Sequence, residues 1–386
     1  MVTQAANQNP TWLGQAKIRS QTMGTIPMDS GQNVPRPFDI PQVGYAESFD
    51  LATLMSFTYS VAPTGTDAFG PLTGQMARIT VFVNSIGNLA DLSGFSAAFV
   101  SAIEYAYRYG SSTLEGAPSS YLAFGAVGTT AKTNVTHHRI PLGLYLLNFP
   151  YPIGLFQTAL QNLSVRLIVR WLPLVATAGT PGSGAYLGGT VSAGQQGQVS
   201  INETYFDPIT APSAQPYLGF IHRWSEFQTS LNKAGDTDIL LPGQNYYTRV
   251  IYQIVSGAAG ALALDGTHLT RLRLMYGANL APFDEDETSF EASKRMQRQY
   301  PGLYQAMVTG WGGNTYLGVY WHDWIADSHD NRDWINAAAT TNLRSRLTLS
   351  ASGNYTGGGY INTVTEEVAP LALPAGAVVQ GQAPPV

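Results

Sequence analysis

The chain has 386 residues, no cysteine and a formal net charge of −5, from 20 Lys and Arg against 25 Asp and Glu. The length allows two or three domains, the lack of cysteine excludes disulfides, thiolate metal sites and cysteine catalysis, and without a basic tail direct packaging of nucleic acid is not expected. Charged residues make up only 12%, about half the usual share, so much of the surface must be Ser, Thr, Asn, Gln, Gly and apolar atoms, which suits burial in an assembly.

Residues 1–44 are rich in Pro, Gly and Asn, with isolated apolar points at Trp12, Leu13, Ile26, Phe38 and Ile40. They read as an extended arm that frays when free. The first twenty residues lack a signal-peptide core, so ordinary secretory export is not expected. No run of about 18 apolar residues occurs to span a bilayer. Segments 48–61 and 75–86 have the β-branched and aromatic content of strands, with a Pro- and Gly-rich loop between them. Segment 99–110 alternates Ile103, Tyr105, Tyr107 and Tyr109 against Ala102, Glu104, Ala106 and Arg108, and also reads as a strand. A polar stretch follows to Arg139.

Residues 140–171 read as a strand, a short proline-bounded helix and a very apolar strand. The last of these, 164–174, should be interior, with Arg166, Ile168 and Arg170 on one face. Residues 175–198 form a Gly-, Ala- and Ser-rich surface excursion. Segment 199–209 is the closing strand of the first half, 211–216 is a linker, and 217–231 is a strand or short helix crossing into the second half. Segments 238–257, 267–280, 316–325, 341–352 and 360–371 read as strands. Segment 283–302 is the clearest helix: Asp284 to Glu287 at its start and Lys294, Arg295 and Arg298 near its end complement the helix dipole, and Pro301 and Gly302 stop it. Residues 317–349 return to the strand, connection, strand layout of 140–171. The expected fold is all-β: two consecutive eight-stranded jelly rolls with short helices in loops. The expected division is an arm over 1–44, a first roll over 45–212, and a second roll with a C-terminal tail over 213–386.

No nucleotide-binding glycine loop precedes a helix and no Gly-x-Ser-x-Gly occurs, so no residue is assigned a catalytic, cofactor-binding or metal role, and no cofactor is expected. His137 and His138 precede a strand and read as polar residues. His322 and His329 flank several aspartates, but their opposite parity suits no shared strand face. Asp284 to Glu287 lack the alternation and glycine of a calcium loop and read as helix-start acids. Asp327, Asp330 and Asp333 beside Trp324 and Trp334 form a possible sugar patch. A carboxylate pair for glycoside hydrolysis is not readable from sequence, because its separation in space is not.

Ile140, Pro141 and Leu142, then Gly154 and Leu155, then Ala159, Leu160 and Gln161, then the apolar strand Val165 to Trp171 resemble the first roll of double jelly-roll major capsid proteins. These belong to tailless, internal-membrane (tectivirus-like) phages and to large eukaryotic DNA viruses. Tyr205 and Asp207, His222 and Trp224, and Asn342 and Leu343 follow in the family's order. Gly143 stands where the family has a second proline. The resemblance covers roughly residues 46–371. It implies a homotrimeric, pseudo-hexagonal capsomer tiling an icosahedral virion shell, assembled in the host cytoplasm. The partners it implies are neighbouring capsomers, penton and minor capsid proteins, and an internal membrane met by the N-terminal arm. Other readings are a glycan- or receptor-binding spike and a two-domain cupin-like metalloenzyme.

Overall fold

The computed structural model describes residues 17–28, 34–41, 43–57, 59–61, 65–66, 76–84, 86–110, 132–147, 152, 156–157, 164–173, 186–187, 190–191, 196–207, 220–242, 245–258, 261–275, 286–309, 317–328, 334–337 and 342–370. Strands dominate. In the N-terminal half they are β1 (Ile18–Pro27), β2 (Arg36–Ile40), β3 (Tyr45–Phe57), β4 (Tyr59–Val61), β5 (Gly65–Thr66), β6 (Met76–Val83) and β7 (Gly87–Leu92). Helix α1 (Gly94–Tyr109) comes next, then β8 (Lys132–Pro141), β9 (Phe156–Gln157), β10 (Val165–Trp171), β11 (Tyr186–Leu187), β12 (Thr190–Val191) and β13 (Gln196–Phe206). The C-terminal half holds β14 (Phe220–Leu231), β15 (Gly235–Leu240), β16 (Tyr246–Ala258), β17 (Ala261–Leu264), β18 (Leu269–Met275) and β19 (Asp286–Thr288). Helices α2 (Ser289–Gln299) and α3 (Pro301–Thr309), strand β20 (Val319–Asp323), helix α4 (Trp324–Ser328), and strands β21 (Ile335–Asn336), β22 (Arg344–Leu349) and β23 (Gly359–Pro370) complete it.

Three sheets carry the fold. One has the order β1-β13-β3-β8, and another β15-β22-β18-β19. The third runs through both halves of the chain in the order β17-β16-β23-β14-β7-β6-β10-β2, with β20 and β21 also on β16. The halves meet within it where β7 lies parallel to β14, Ala90 opposite Trp224 and Asp91 opposite Ser225. Inward faces of all three sheets join one apolar cluster, including Phe49, Leu51, Val81, Leu167, Trp171, Ile201, Leu272 and Leu347. Strand β10 lies between β6 and β2, interior as expected. Its side chains alternate strictly, with Arg166 and Arg170 out and Val165, Leu167, Val169 and Trp171 in.

Several expectations need correction. Segment 99–110 is not a strand but most of helix α1. Ser93 caps it, its side chain accepting from Ser96 N, and Gly110 ends it in the left-handed conformation at φ 59°, its N–H bonded to Ala106 O. Phe95, Phe99, Ile103 and Tyr107 recur every four residues and are all buried, and Ala97, Ala98, Ala102 and Ala106 have the highest helix propensity. The Ile-Glu-Tyr-Ala-Tyr-Arg-Tyr run fits a period of two equally well, which is why its local pattern misleads. Ser93→Ala is expected to cost about 1 kcal/mol, read as a lower urea midpoint. The loss stays that small because Glu226 still accepts the Ser93 backbone N–H.

The arm is not free over its whole length. Strand β1 pairs with β13 along Ile18–Pro27, and β2 pairs with β10, so residues 18–27 and 36–40 are edge strands; residues 1–16 lie outside the described set. Ile140 ends strand β8 rather than starting one, and His137 and His138 lie within it. The short helix expected between 140 and 171 and the linker 211–216 lie outside the described residues. So does most of the excursion 175–198, of which β11 and β12 pair with β5 and β4.

The expected helix 283–302 is two helices. Asp286 and Glu287 belong to β19 and pair with Arg271 and Arg295. The true cap is Thr288, in a capping box with Glu291. Pro301 does not stop the chain but opens α3, where its missing N–H costs nothing. Segment 316–325 divides into β20 and the first turn of α4. Of segment 217–231 the described part, Phe220–Leu231, is a strand, β14.

Candidate functional site: the buried junction between the halves

Strand β16 is paired on both sides and nearly all buried, yet Arg249 sits in its first half with no exposure. A guanidinium there demands partners, and the sheet supplies them in one row. Asp323 of β20 and Glu366 of β23 stand directly opposite Arg249 on its two sides, and Trp224 of β14 stands opposite Glu366. Arg249 Nε donates to Asp323 Oδ2 at 2.6 Å. Its Nη1 lies 3.1 Å from Glu366 Oε2.

Helix α1 of the N-terminal half lies on this row. Arg249 Nη1 donates to Glu104 Oε1 at 2.7 Å, and the Tyr107 ring lies 5.2 Å from the guanidinium. Four residues along β16, Gln253 meets Ser96 at 3.2 Å. Eight residues of helix rise about 12 Å and four residues of strand about 13 Å, so α1 keeps step with β16 over two contacts. Asn362 of β23 donates to Gln253 at 2.7 Å and to Glu226 at 2.6 Å. Glu226 in turn accepts from the Ser93 N–H at the helix start and pairs with Arg78 of β6 at 3.3 Å.

The other side of α1 holds the N-terminal sheet. The Ser101 hydroxyl accepts from Arg139 N at 2.7 Å. Arg108 and Arg139 both pair with buried Glu47, at 2.8 and 2.6 Å, and the Arg108 guanidinium stacks 3.6 Å from the Tyr145 ring centre. Helix α1 is therefore held between the N-terminal sheet and strand β16, with one ion pair to each, Arg108 to Glu47 of β3 and Glu104 to Arg249.

Acidic and basic groups at the junction are held in distinct states. Asp323 accepts from Arg249, from Tyr300 Oη at 2.5 Å, and from the backbone N–H groups of Ile325 and Ala326. Burial, then Asp323, pushes the Tyr300 hydroxyl far above its usual range. His222 Nε2 donates to Glu366 at 2.8 Å. Burial opposes ionisation of Glu366, but Arg249 and then His222 outweigh it and lower its pKa. One buried acid of the first roll stands apart from these pairs: Glu203 of β13 has no exposure, neither of its carboxylate oxygens has a partner, and burial raises its pKa from 4.5 to about 8.

The residues weighed from sequence do not converge. His322 is buried and stacked on Trp324 with ring centres 5.7 Å apart, and burial followed by Arg295 lowers its pKa well below the usual value. Trp324 is itself buried. His329, Asp330 and Asp333 lie outside the described residues. Among the described residues no three His, Asp or Glu side chains are grouped to hold a metal ion, and no helix is long and apolar enough to cross a membrane. The sequence reading missed Arg249, Glu366 and Glu203. A lone arginine in Tyr-Tyr-Thr-Arg-Val-Ile-Tyr was a signal for the first. Glu203, in phase with Val199, Ile201 and Tyr205, was a signal for a core acid.

No protein-family model matches the sequence, and no curated protein matches it. Solved structures do match. A chain from the atomic structure of Sulfolobus turreted icosahedral virus superposes with a TM-score of 0.63 at 14% identity, covering 92% of this chain and 91% of that one. PBCV-1 VP54, fitted into a reconstruction of the virophage Sputnik, gives 0.58 at 12% identity over 92% and 94%. The major capsid protein P2 of bacteriophage PM2 gives 0.50 at 10% identity over 92% and 98%. The fold of this chain is thus the double jelly roll of these capsid proteins.

Proposed function

We propose that this chain is a major capsid protein whose trimers tile an icosahedral virion shell. The observation that carries the reading is the likeness of fold along 92% of the chain to capsid proteins of almost equal length. A shared function does not follow from a shared fold alone. Two features of this chain add to it. Its charge content is low, as befits a surface mostly covered by neighbours. Helix α1 and the Arg249 row lock the two rolls side by side, so each chain offers two fixed lobes, and three chains give a ring of six.

On this reading the work is done by contact: apolar and backbone-rich surface is buried first between chains and then between trimers, with interfaces of obligate size. Residues 1–16, ahead of the edge strand β1, are the part of the arm left to meet an internal membrane or a neighbour. Penton and minor capsid proteins would complete the shell. Size-exclusion chromatography with light scattering tests the first step. The expected mass is about three times the 41.5 kDa chain at micromolar concentration, where an obligate interface stays closed. A stable monomer there would sink the proposal.

A further inference from the structure

The junction holds more acid than base. Glu104 from α1, Asp323 from β20 and Glu366 from β23 converge on Arg249 of β16, and all four side chains are buried. From β14, His222 is the one other base, placed on Glu366. From α2, the next residue beyond it, Tyr300, donates to Asp323. On α1 the next cation, Arg108, is committed to Glu47. With His222 charged the cluster still carries one excess negative charge, and with His222 neutral it carries two. An unbalanced carboxylate is costly in a core.

The three acids are not equally served. Asp323 has four donors and Glu366 has His222 and Arg249. Each of Glu104 and Glu366 has one oxygen, Oε2, without a hydrogen bond, but Glu366 has His222 on its other oxygen while Glu104 has only Arg249 Nη1. Glu104 and Glu366 also share that one nitrogen, at 2.7 and 3.1 Å. Two carboxylates crowded on one donor take up a proton as a pair, and the less-served one keeps it. We propose that the junction is a proton-dependent clamp between the two rolls, closed with a hydrogen on the Glu104 carboxyl and loosened when that hydrogen leaves. Burial, opposed by Arg249 and assisted by Glu366, raises the Glu104 pKa, in keeping with this geometry. The sign follows: above the ordinary carboxyl pKa the folded junction binds a proton that the opened one lacks. Its stability is full below that value and falls as pH rises towards the raised one.

The test uses the full chain carrying Glu203→Gln, which removes the unpaired buried acid of the first roll, with and without Glu104→Gln. Between pH 5 and 9 the parent should lose stability to urea, and its α1 amides, residues 94–109, should exchange faster than intrinsic chemistry predicts. Within the titration window the excess grows about tenfold per pH unit. Infrared spectra at pH 7 should show a protonated carboxyl in the parent that vanishes with Glu104→Gln, and the pH slope should flatten with it. Equal slopes in the two proteins, or no protonated carboxyl in the parent, would overturn the clamp. If the double variant does not fold, the parent alone decides. A protonated carboxyl at pH 7 together with pH-driven opening centred on α1 supports the proposal, and absence of either ends it.

Discussion

Arg249→Met should destabilise the protein by about 3–5 kcal/mol at pH 7, the largest loss expected from any single substitution at the junction. Methionine replaces the stem of the arginine well enough that cavity formation is minor. What remains is the charge: Asp323 and Glu366, beside the Glu104 carboxyl, are left in a dry strip with only His222 as a base. The loss should therefore shrink as the pH drops and the stranded acids take up protons. Arg249→Lys is expected to recover only part of it. One ammonium cannot reach Asp323 through Nε and Glu104 through Nη1 at once, as the planar fork does. Adding Glu104→Gln and Glu366→Gln to Arg249→Met should restore more stability than the sum of their separate effects, since all act on one network. Urea unfolding at pH 5 and 7 reads all of this. A loss of under about 1 kcal/mol at pH 7, the scale of a surface pair, would show that the row does not hold the halves together.

The layout of the fold was legible because most strands announce themselves by alternation that survives in the structure. Strand β10 is the clearest, with arginines at 166 and 170 outward and every second residue buried. What failed were the elements whose local pattern and tertiary role disagree. Helix α1 contains a run of alternating aromatics, and only the flanking Ser93 and Gly110 caps, with four alanines, reveal it as helical. Strand β8 hides because it is polar through Lys132 to Arg139, with pairing to β3 doing what apolar side chains do elsewhere. At the junction, the need for a partner to Arg249 was readable in its own strand. The identity of the partners was not: Glu104 is 145 residues away, and nothing local to either residue names the other. That is a general consequence of long-range sheet topology, where register is set by the whole fold.

Glu203→Gln should leave the stability of the protein nearly unchanged at pH 5 and raise it by about 2–4 kcal/mol at pH 9. Glu203 sits in the core of the first roll, across from Gln21 of β1 and Phe49 of β3, and neither of its oxygens has a hydrogen-bond partner. Tyr205, the next residue on the same face, spends its hydroxyl on Gln21 instead. Among the described residues no cation faces the carboxyl, and burial raises its pKa to about 8. The folded chain therefore keeps a proton that the unfolded chain has released above about 4.5, and stability must fall with rising pH between those values and level off beyond the upper one. An amide is neutral throughout, so the variant lacks this slope. The gain stays short of the full linkage because a buried amide has unmet hydrogen bonds of its own. Glu203→Leu, with no polar atoms to satisfy, should be at least as stable as Glu203→Gln at every pH. Thermal midpoints across pH 5 to 9 measure the effect. If all three proteins followed one pH curve, the carboxyl would have to be ionised and paired, and β13 would have to hold Glu203 differently from the arrangement described. Strand β13 is also the strand that β1 pairs with. Ionisation of Glu203 should therefore loosen the N-terminal edge first, and amide exchange in residues 18–27 should speed up with pH in the wild-type chain and not in Glu203→Gln.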